Sequence, residues 1–384
     1  MRQVAVIGIG QTRVEENWDL SLKELAGEAV IHAMNDAGVS GFDSIFIGNM
    51  MSGSANHQQH LGPLIADWVG MRFSEAYRTE AACSSGASAF RTALMAVASN
   101  EVDVAVAVGV EKMTDSPGSE ITAELATAAD REWEGDHGVS FVALNALIMQ
   151  RYMFEYGWEH HHFAQFSINA HANAESNPNA RFRKAITQQV FEKSTMIADP
   201  INVMDSSPMG DGAAAVVLVP LDKIHQNNNK KFVKIIASAV ATDTISIHNR
   251  LDPLWLKAAE SAAMKAYDQA AILPQEIDLF ELHDAFTIMA ALSLEANGFA
   301  ERGQGPRLAL DGDIKLTGRI PISTMGGLKA RGHPVGATGM YQIVEVVQQL
   351  RGDSGGCQVK DAHIGMTQNI GGSGSNIISH IFSI

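Results

Sequence analysis

Cys83 stands in RTEAACSSGASAF (Arg78–Phe90) and is one of only two cysteines in 384 residues. Ser84, Ser85 and Gly86 follow it, and Ala87, Phe90, Leu94 and Val97 recur at helical spacing. That pattern puts a thiol at a helix N-terminus, where unpaired N–H groups and the dipole favour thiolate. A nucleophilic cysteine is therefore expected. The competing reading is a small buried hydrophobe, the common fate of a free cysteine.

Three other stretches offer companions. GGLKARGHPVGATG (Gly326–Gly339) sets His333 among glycines just before a helix expected to begin near Pro334. Glycines there permit close backbone approach, as a catalytic turn or a phosphate cradle would need. ELHDAF puts His283 at the carboxyl end of a strand, where open α/β sheets keep their sites. On its own it reads equally as a satisfied core histidine. NIGGSG (Asn369–Gly374) is a Gly-rich turn between strands whose N–H groups could face a cleft.

Other features carry less. The adjacent histidines of EHHHF (His160–His162) cannot all face one ion from a helix and read as a solvated face, so no metal is expected. Asp205 and Asp211 read as capping or turn residues, and Cys357, in DSGGCQV, as a loop or strand-edge residue. The scattered methionines read as core or pocket filler.

The elements that must position these groups are legible. VAVIGIG opens as a strand, followed by a helix ending at Gly38, a C-cap glycine, and a strand in FDSIFIGNM. EVDVAVAVGV, with Val at 102, 104, 106, 108 and 110, fits a strand buried on both faces. The C-terminal half repeats the plan: strand FVKIIASAV, helix LWLKAAESAAMKAYDQAAI, strand-to-helix EIDLFELHDAF, the turn and helix after His333, and closing strands in AHIGMTQNIGG and SNIISHIFSI. We read an internal duplication. Residues 1–113 and 199–224 form the first half, 225–384 the second, and a polar, mostly helical stretch 114–198 is inserted as a lid.

Composition agrees: 46% apolar, 18% charged, 34 Gly and 11 Pro is that of a globular enzyme. A net charge of −15 argues against non-specific nucleic-acid binding, so any anion site must be a local patch or a helix N-terminus. No apolar run is long enough to cross a bilayer, and the opening carries no basic leader with a cleavage site, so a cytoplasmic protein with reduced cysteines is expected.

Taken together and in this order, the Cys83 helix, HDAF, GGLKARGHPVGATG and NIGGSG resemble the thiolase superfamily over nearly the whole chain. Within it the closest likeness is to archaeal-type and SCP2-type acyl-CoA thiolases, of the acetyl-CoA acetyltransferase or benzoylsuccinyl-CoA thiolase kind. The resemblance implies an α/β fold of five layers, α/β/α/β/α, made of two duplicated halves with an inserted loop domain, assembled as a homodimer. It implies that Cys83 attacks the ketone of a 3-oxoacyl-CoA and becomes acylated. His333 takes its proton and helps stabilise a developing oxyanion. His283 helps hold the acetyl-CoA enolate, and the N–H groups of Cys83 and Gly371 hold the oxyanion of the tetrahedral intermediate. Coenzyme A is the co-substrate, with no covalently bound cofactor. Members of this branch often work with a small OB-fold (DUF35) partner carrying a zinc ribbon.

The sequence departs from the family where a second cysteine would serve as acid/base. Asn369 occupies that position in the C-terminal turn, and Ala285 occupies the alternative one in HDAF. A histidine, with an ordinary pKa of about 6.5, is the favoured substitute, and Ala285 leaves room for a bulkier acyl group. A decarboxylating ketosynthase and a non-catalytic CoA- or lipid-binding scaffold subunit are the alternatives. The first would release CO2 from a malonyl thioester, and the second would never acylate Cys83.

Overall fold

The computed structural model describes residues 2–224 and 231–384. In chain order the elements are β1 (Val4–Gln11), α1 (Leu22–Ala37), β2 (Ser44–Gly48), α2 (Leu61–Trp68), β3 (Glu75–Thr79), α3 (Ser85–Ala98) and β4 (Ala105–Glu111). Then come α4 (Gly118–Ala126), α5 (Phe141–Tyr156), α6 (Ala164–Ala174), α7 (Gln188–Glu192), and a two-stranded ribbon of β5 (Met196–Ala198) and β6 (Ile201–Asn202). The chain closes with β7 (Gly212–Pro220), β8 (Val233–Thr242), α8 (Lys257–Ala270), β9 (Leu279–Glu281), α9 (Thr287–Ala296), α10 (Gly305–Asp311), α11 (Thr338–Arg351), β10 (Ile364–Gly371) and β11 (Asn376–Ser383).

Among the described residues, nine strands form one continuous sheet in the order β3-β2-β4-β7-β1-β8-β11-β10-β9. Its pairing pattern repeats. Outward from β1 the partners are β7 and β4, antiparallel, then β2 and β3, parallel. Outward from β8 they are β11 and β10, antiparallel, then β9, parallel. The fifth strand of the second half has shrunk to a single parallel bridge between Phe280 and Ile322. The halves meet where β1 pairs with β8 over only Ala5–Lys234 and Val6–Val233. The duplication expected from the order of elements is thus carried by strand direction.

Burial sorts the helices into layers. Val106, Val108 and Val110 of β4 pack outward with Leu25, Ala29 and Ala33 of α1. The alternate residues Ala105 and Ala107 pack inward with Phe90 of α3 and Met340 and Val344 of α11. Alternation sends successive side chains to opposite faces, and with both faces covered all seven residues of β4 are buried. On the far side, α8 and α9 pack with Phe280, Met366 and Ile381. Helices α3 and α11 therefore form a central layer between the sheet halves, with α1 and α2 outside one and α8 and α9 outside the other. This is the five-layered α/β/α/β/α arrangement.

The termini follow local rules. Glu24 reaches back to the Ser21 N–H at 2.8 Å at the start of α1, and Gly38 ends that helix at φ +70°. The stretch between β4 and β7 is mostly helical but includes β5, a strand without a clear pattern in sequence. The boundary read at residue 225 falls among residues 225–230, outside the described residues.

Candidate functional site

The N-termini of α3 and α11, one from each half, meet in the central layer. Glycines make the contact: a Cβ at Gly86 would lie 2.8 Å from the Gly336 carbonyl oxygen, and one at Gly339 would lie 2.6 Å from the Ala87 nitrogen. Glu111, the last residue of β4, ties the same region together. Its carboxylate accepts from Asn49 Nδ2 at 2.8 Å and from the N–H groups of Met50 at 2.9 Å, Met51 at 3.1 Å and Gly336 at 3.0 Å. Burial raises Glu111 to about 7 although those donors pull it back.

Cys83 sits just ahead of α3, after Ala82 at φ +51°, a conformation sparsely used by non-glycine residues. It lines a cavity of about 440 Å³ together with His283 and His333. The three residues predicted from separate motifs are thus brought together. Gly372 and Ser373 of the NIGGSG turn line it as well.

One expectation is corrected here. Cys83 is not a resting thiolate: burial, and then the Glu111 carboxylate, raise it to about 12, outweighing the N–H groups that favour thiolate. The N–H groups directed at the sulfur are those of Gly372 and of Cys83 itself. Gly371 closes β10 opposite Asn376, where a Cβ would lie 2.6 Å from the Ala81 carbonyl oxygen and 2.8 Å from the Ser84 hydroxyl.

The histidines are held in opposite tautomers. Thr338 donates its hydroxyl to the Pro334 carbonyl at 3.1 Å, so it accepts from His333 Nδ1–H at 2.7 Å. Nε2 of His333 is left with a lone pair. Asn369 Nδ2 donates to His283 Nδ1 at 2.9 Å, which puts the ring proton of His283 on Nε2. Both rings are buried, 5.1 Å apart between centroids and at 85° to each other. Burial lowers His283 to about 3, and burial, His283 and Arg331 hold His333 well below its ordinary value, so both are neutral at pH 7.

The wall facing the central layer comes from the stretch between β4 and β7. Leu125 of α4, Phe141 and Val142 of α5, Phe182, Ile197 and Met204 make it mainly apolar. Ala285 and Phe286 line it as well. The groups that sequence reading missed are Glu111, Thr338, Gly372 and the cavity-lining His171 and Lys329. An acid closing an otherwise apolar strand was the available signal for Glu111.

Several discounted residues proved more embedded than expected. His160 is not simply solvated: its Nε2 pairs with buried Asp205 at 2.6 Å. Asp205 does cap a short turn, through the Asn202 N–H, but also accepts from the Thr287 hydroxyl at 2.5 Å. Asp211 is buried and binds Lys112, Met113, Thr114 and Asn17, the cost of a buried carboxylate being offset by those donors. Cys357 does lie in the loop between α11 and β10, in a short turn, but is fully buried, its thiol donating to the Asn173 carbonyl at 3.2 Å. No helix among the described residues is long and apolar enough to cross a membrane.

Comparison with known proteins follows the same lines. The family model for the thiolase N-terminal domain matches residues 4–222, and that for the thiolase C-terminal domain-like family matches residues 239–384. The chain is 46% identical to an acetyl-CoA acetyltransferase of Methanothermobacter thermautotrophicus over 100% of both chains. It is 31% identical to a benzoylsuccinyl-CoA thiolase subunit of Thauera aromatica, covering 97% of this chain and 95% of the relative. Among solved structures, the Ltp2-ChsH2(DUF35) aldolase superposes with a TM-score of 0.87 at 24% identity, over 99% of this chain and 97% of that one, which bears on the fold. With two matched domains spanning both duplicated halves, the chain belongs to the thiolase family and is an acyl-CoA thiolase, an acyltransferase.

Proposed function

We propose that the chain transfers an acyl group between a 3-oxoacyl-CoA and CoA through an acyl-enzyme on Cys83. The observation that carries this reading is the meeting, in one apolar cavity, of a protonated thiol with two neutral histidines of opposite tautomer. His333 Nε2 takes the Cys83 proton as sulfur attacks the ketone carbon. The resulting oxyanion accepts from the N–H groups of Cys83 and Gly371, and each such donor is worth roughly 3 kcal/mol. When the carbon–carbon bond breaks, its electron pair passes to the acetyl-CoA enolate, whose oxygen accepts from His283 Nε2–H. Protonated His333 returns its proton to the enolate carbon. CoA then enters, gives its thiol proton to His333, and attacks the Cys83 thioester; the departing sulfur recovers that proton. On this scheme His333 serves both half-reactions, so Asn369 needs no acid/base role.

Acetoacetyl-CoA is the generic substrate, and a bulkier branched or aryl 3-oxoacyl-CoA is the competitor that Ala285 would accommodate. The reading includes residues 114–198 as the segment covering the cavity and a cytoplasmic location. It includes a homodimer, supported by β3, among the described residues an edge strand paired only with β2, which carries exposed Tyr77 and is preceded by exposed Phe73. A small zinc-ribbon OB-fold partner belongs to it too, supported by a relative named as one subunit of its enzyme. The test is mass spectrometry of the intact protein after mixing with a 3-oxoacyl-CoA. Wild type gains one acyl group at Cys83 and loses it on adding CoA, and C83A gains none. An unmodified Cys83 during steady turnover would sink the scheme.

A further inference from the structure

Among the described residues, Lys329 is a buried cation that forms no ion pair. It is 2% exposed and lines the same cavity as Cys83. Its Nζ donates to the Asp205 main-chain carbonyl, and among the described residues that is its one hydrogen bond, with no ion pair. An ammonium makes three hydrogen bonds, so two of its N–H groups are uncommitted. The nearby carboxylates are engaged elsewhere: Asp284 accepts from Leu328 N–H at 2.7 Å and Ser323 Oγ at 3.0 Å, and Asp205 from Asn202, Thr287 and His160. Their field keeps Lys329 charged against its burial, which lowers it to about 8.

A second group stands unpaired beside it. The Ser206 hydroxyl, on the residue after Asp205, also lines the cavity, and its buried oxygen has no partner among the described residues. A buried charge that serves only the fold is ordinarily paired and fully hydrogen-bonded, because desolvating it otherwise costs several kcal/mol. Here a donor-rich ammonium and an adjacent free hydroxyl face one apolar space, the arrangement that a carboxylate would complete.

Building on the acyl-enzyme reading, we propose that Lys329 and Ser206 form a carboxylate-binding subsite, and that the preferred substrate is a 3-oxoacyl-CoA whose acyl chain bears a second, ionised carboxyl group. One carboxylate oxygen takes the free Lys329 N–H groups and the other takes Ser206 O–H. A methyl-terminated chain leaves the ammonium unpaired, and the site discriminates by that deficit.

Two unreactive ligands of equal chain length, hexanoyl-CoA and the six-carbon dicarboxylic thioester adipyl-CoA, test this by calorimetry on the full chain. Adipyl-CoA should bind at least tenfold tighter to wild type. The ratio should collapse to near one in K329M, and fall severalfold in S206A. Equal binding in wild type, or an equal loss for both ligands in K329M, overturns the proposal. If K329M melts early, the wild-type ratio and S206A decide alone. Thiolysis of 3-oxohexanoyl-CoA and 3-oxoadipyl-CoA separates the two readings: a binding preference with no acylation of Cys83 by either substrate would remove the mechanism and leave the subsite.

Discussion

At the scale of single residues, the site depends on a thiol that is not pre-ionised. With Cys83 raised to about 12, its reactivity must come from a base in contact with it. Iodoacetamide should therefore alkylate Cys83 slowly at pH 7, and the rate should keep climbing beyond pH 9. A plateau below pH 8 would mean a thiolate stabilised after all. The base depends in turn on Thr338, the residue that fixes its tautomer. T338V deprives His333 Nδ1 of its acceptor and should cut the acylation rate about 10–100-fold while leaving the melting temperature within a few degrees. A burst of acyl-enzyme at the wild-type rate in T338V would show that the tautomer is set elsewhere. Cys83 and His333 were legible because each stands in a short Ser- or Gly-rich stretch whose composition is hard to explain by packing, and His283 because it ends a strand in an order that matches theirs. Gly372 was not, because the neighbouring Gly371 has the same side chain, and only the direction of an N–H distinguishes them.

At the scale of elements, the question is what locks two helix ends and three turns to each other. Glu111 does much of this with four donors from β2's exit and the His333 turn. E111Q replaces an acceptor oxygen by an NH2 facing an N–H, and should cost about 2–3 kcal/mol of stability. Urea denaturation of the variant checks this, and an unchanged midpoint would show that the turn rearranges freely. The α3–α11 contact admits no side chain at Gly339, so G339A should lower both the melting temperature and turnover, with displacement of Asn369 as the cause. Strands of uniform polarity, such as β4 and β7, were readable from their valines and alanines. The ribbon strand β5 was not, because it is three residues long, its residues are exposed or half-buried, and it pairs only with the two residues of β6 across a tight local turn.

At the scale of the whole molecule, buried acids set the pH response. Glu345 is raised to about 8 and Glu111 to about 7, mainly by burial. Between pH 7 and pH 9 the folded chain gives up protons that the unfolded chain has already lost, so these groups' contribution to stability falls as pH rises. The urea midpoint should drop over that interval by an amount equivalent to on the order of 1 kcal/mol. A flat or rising midpoint would mean that both acids are ionised in the fold at pH 7. The duplicated plan was legible from element order alone. The seam between halves was not, since two pairs of residues in β1 and β8 carry no pattern of their own.

The antiparallel neighbours β4 and β7 run side by side from Glu111 opposite Gly212. Everything from α4 to β6 is spliced into what is geometrically a hairpin loop. Its two ends leave and rejoin the sheet one strand spacing apart, so the excursion's length and content place no demand on the register beneath it. The framework that holds the sulfur and the imidazoles is therefore mechanically separable from much of the upholstery that shapes the acyl chamber. Exchanging that excursion between related enzymes is a direct route to changing which thioesters are accepted while the reaction itself stays in place.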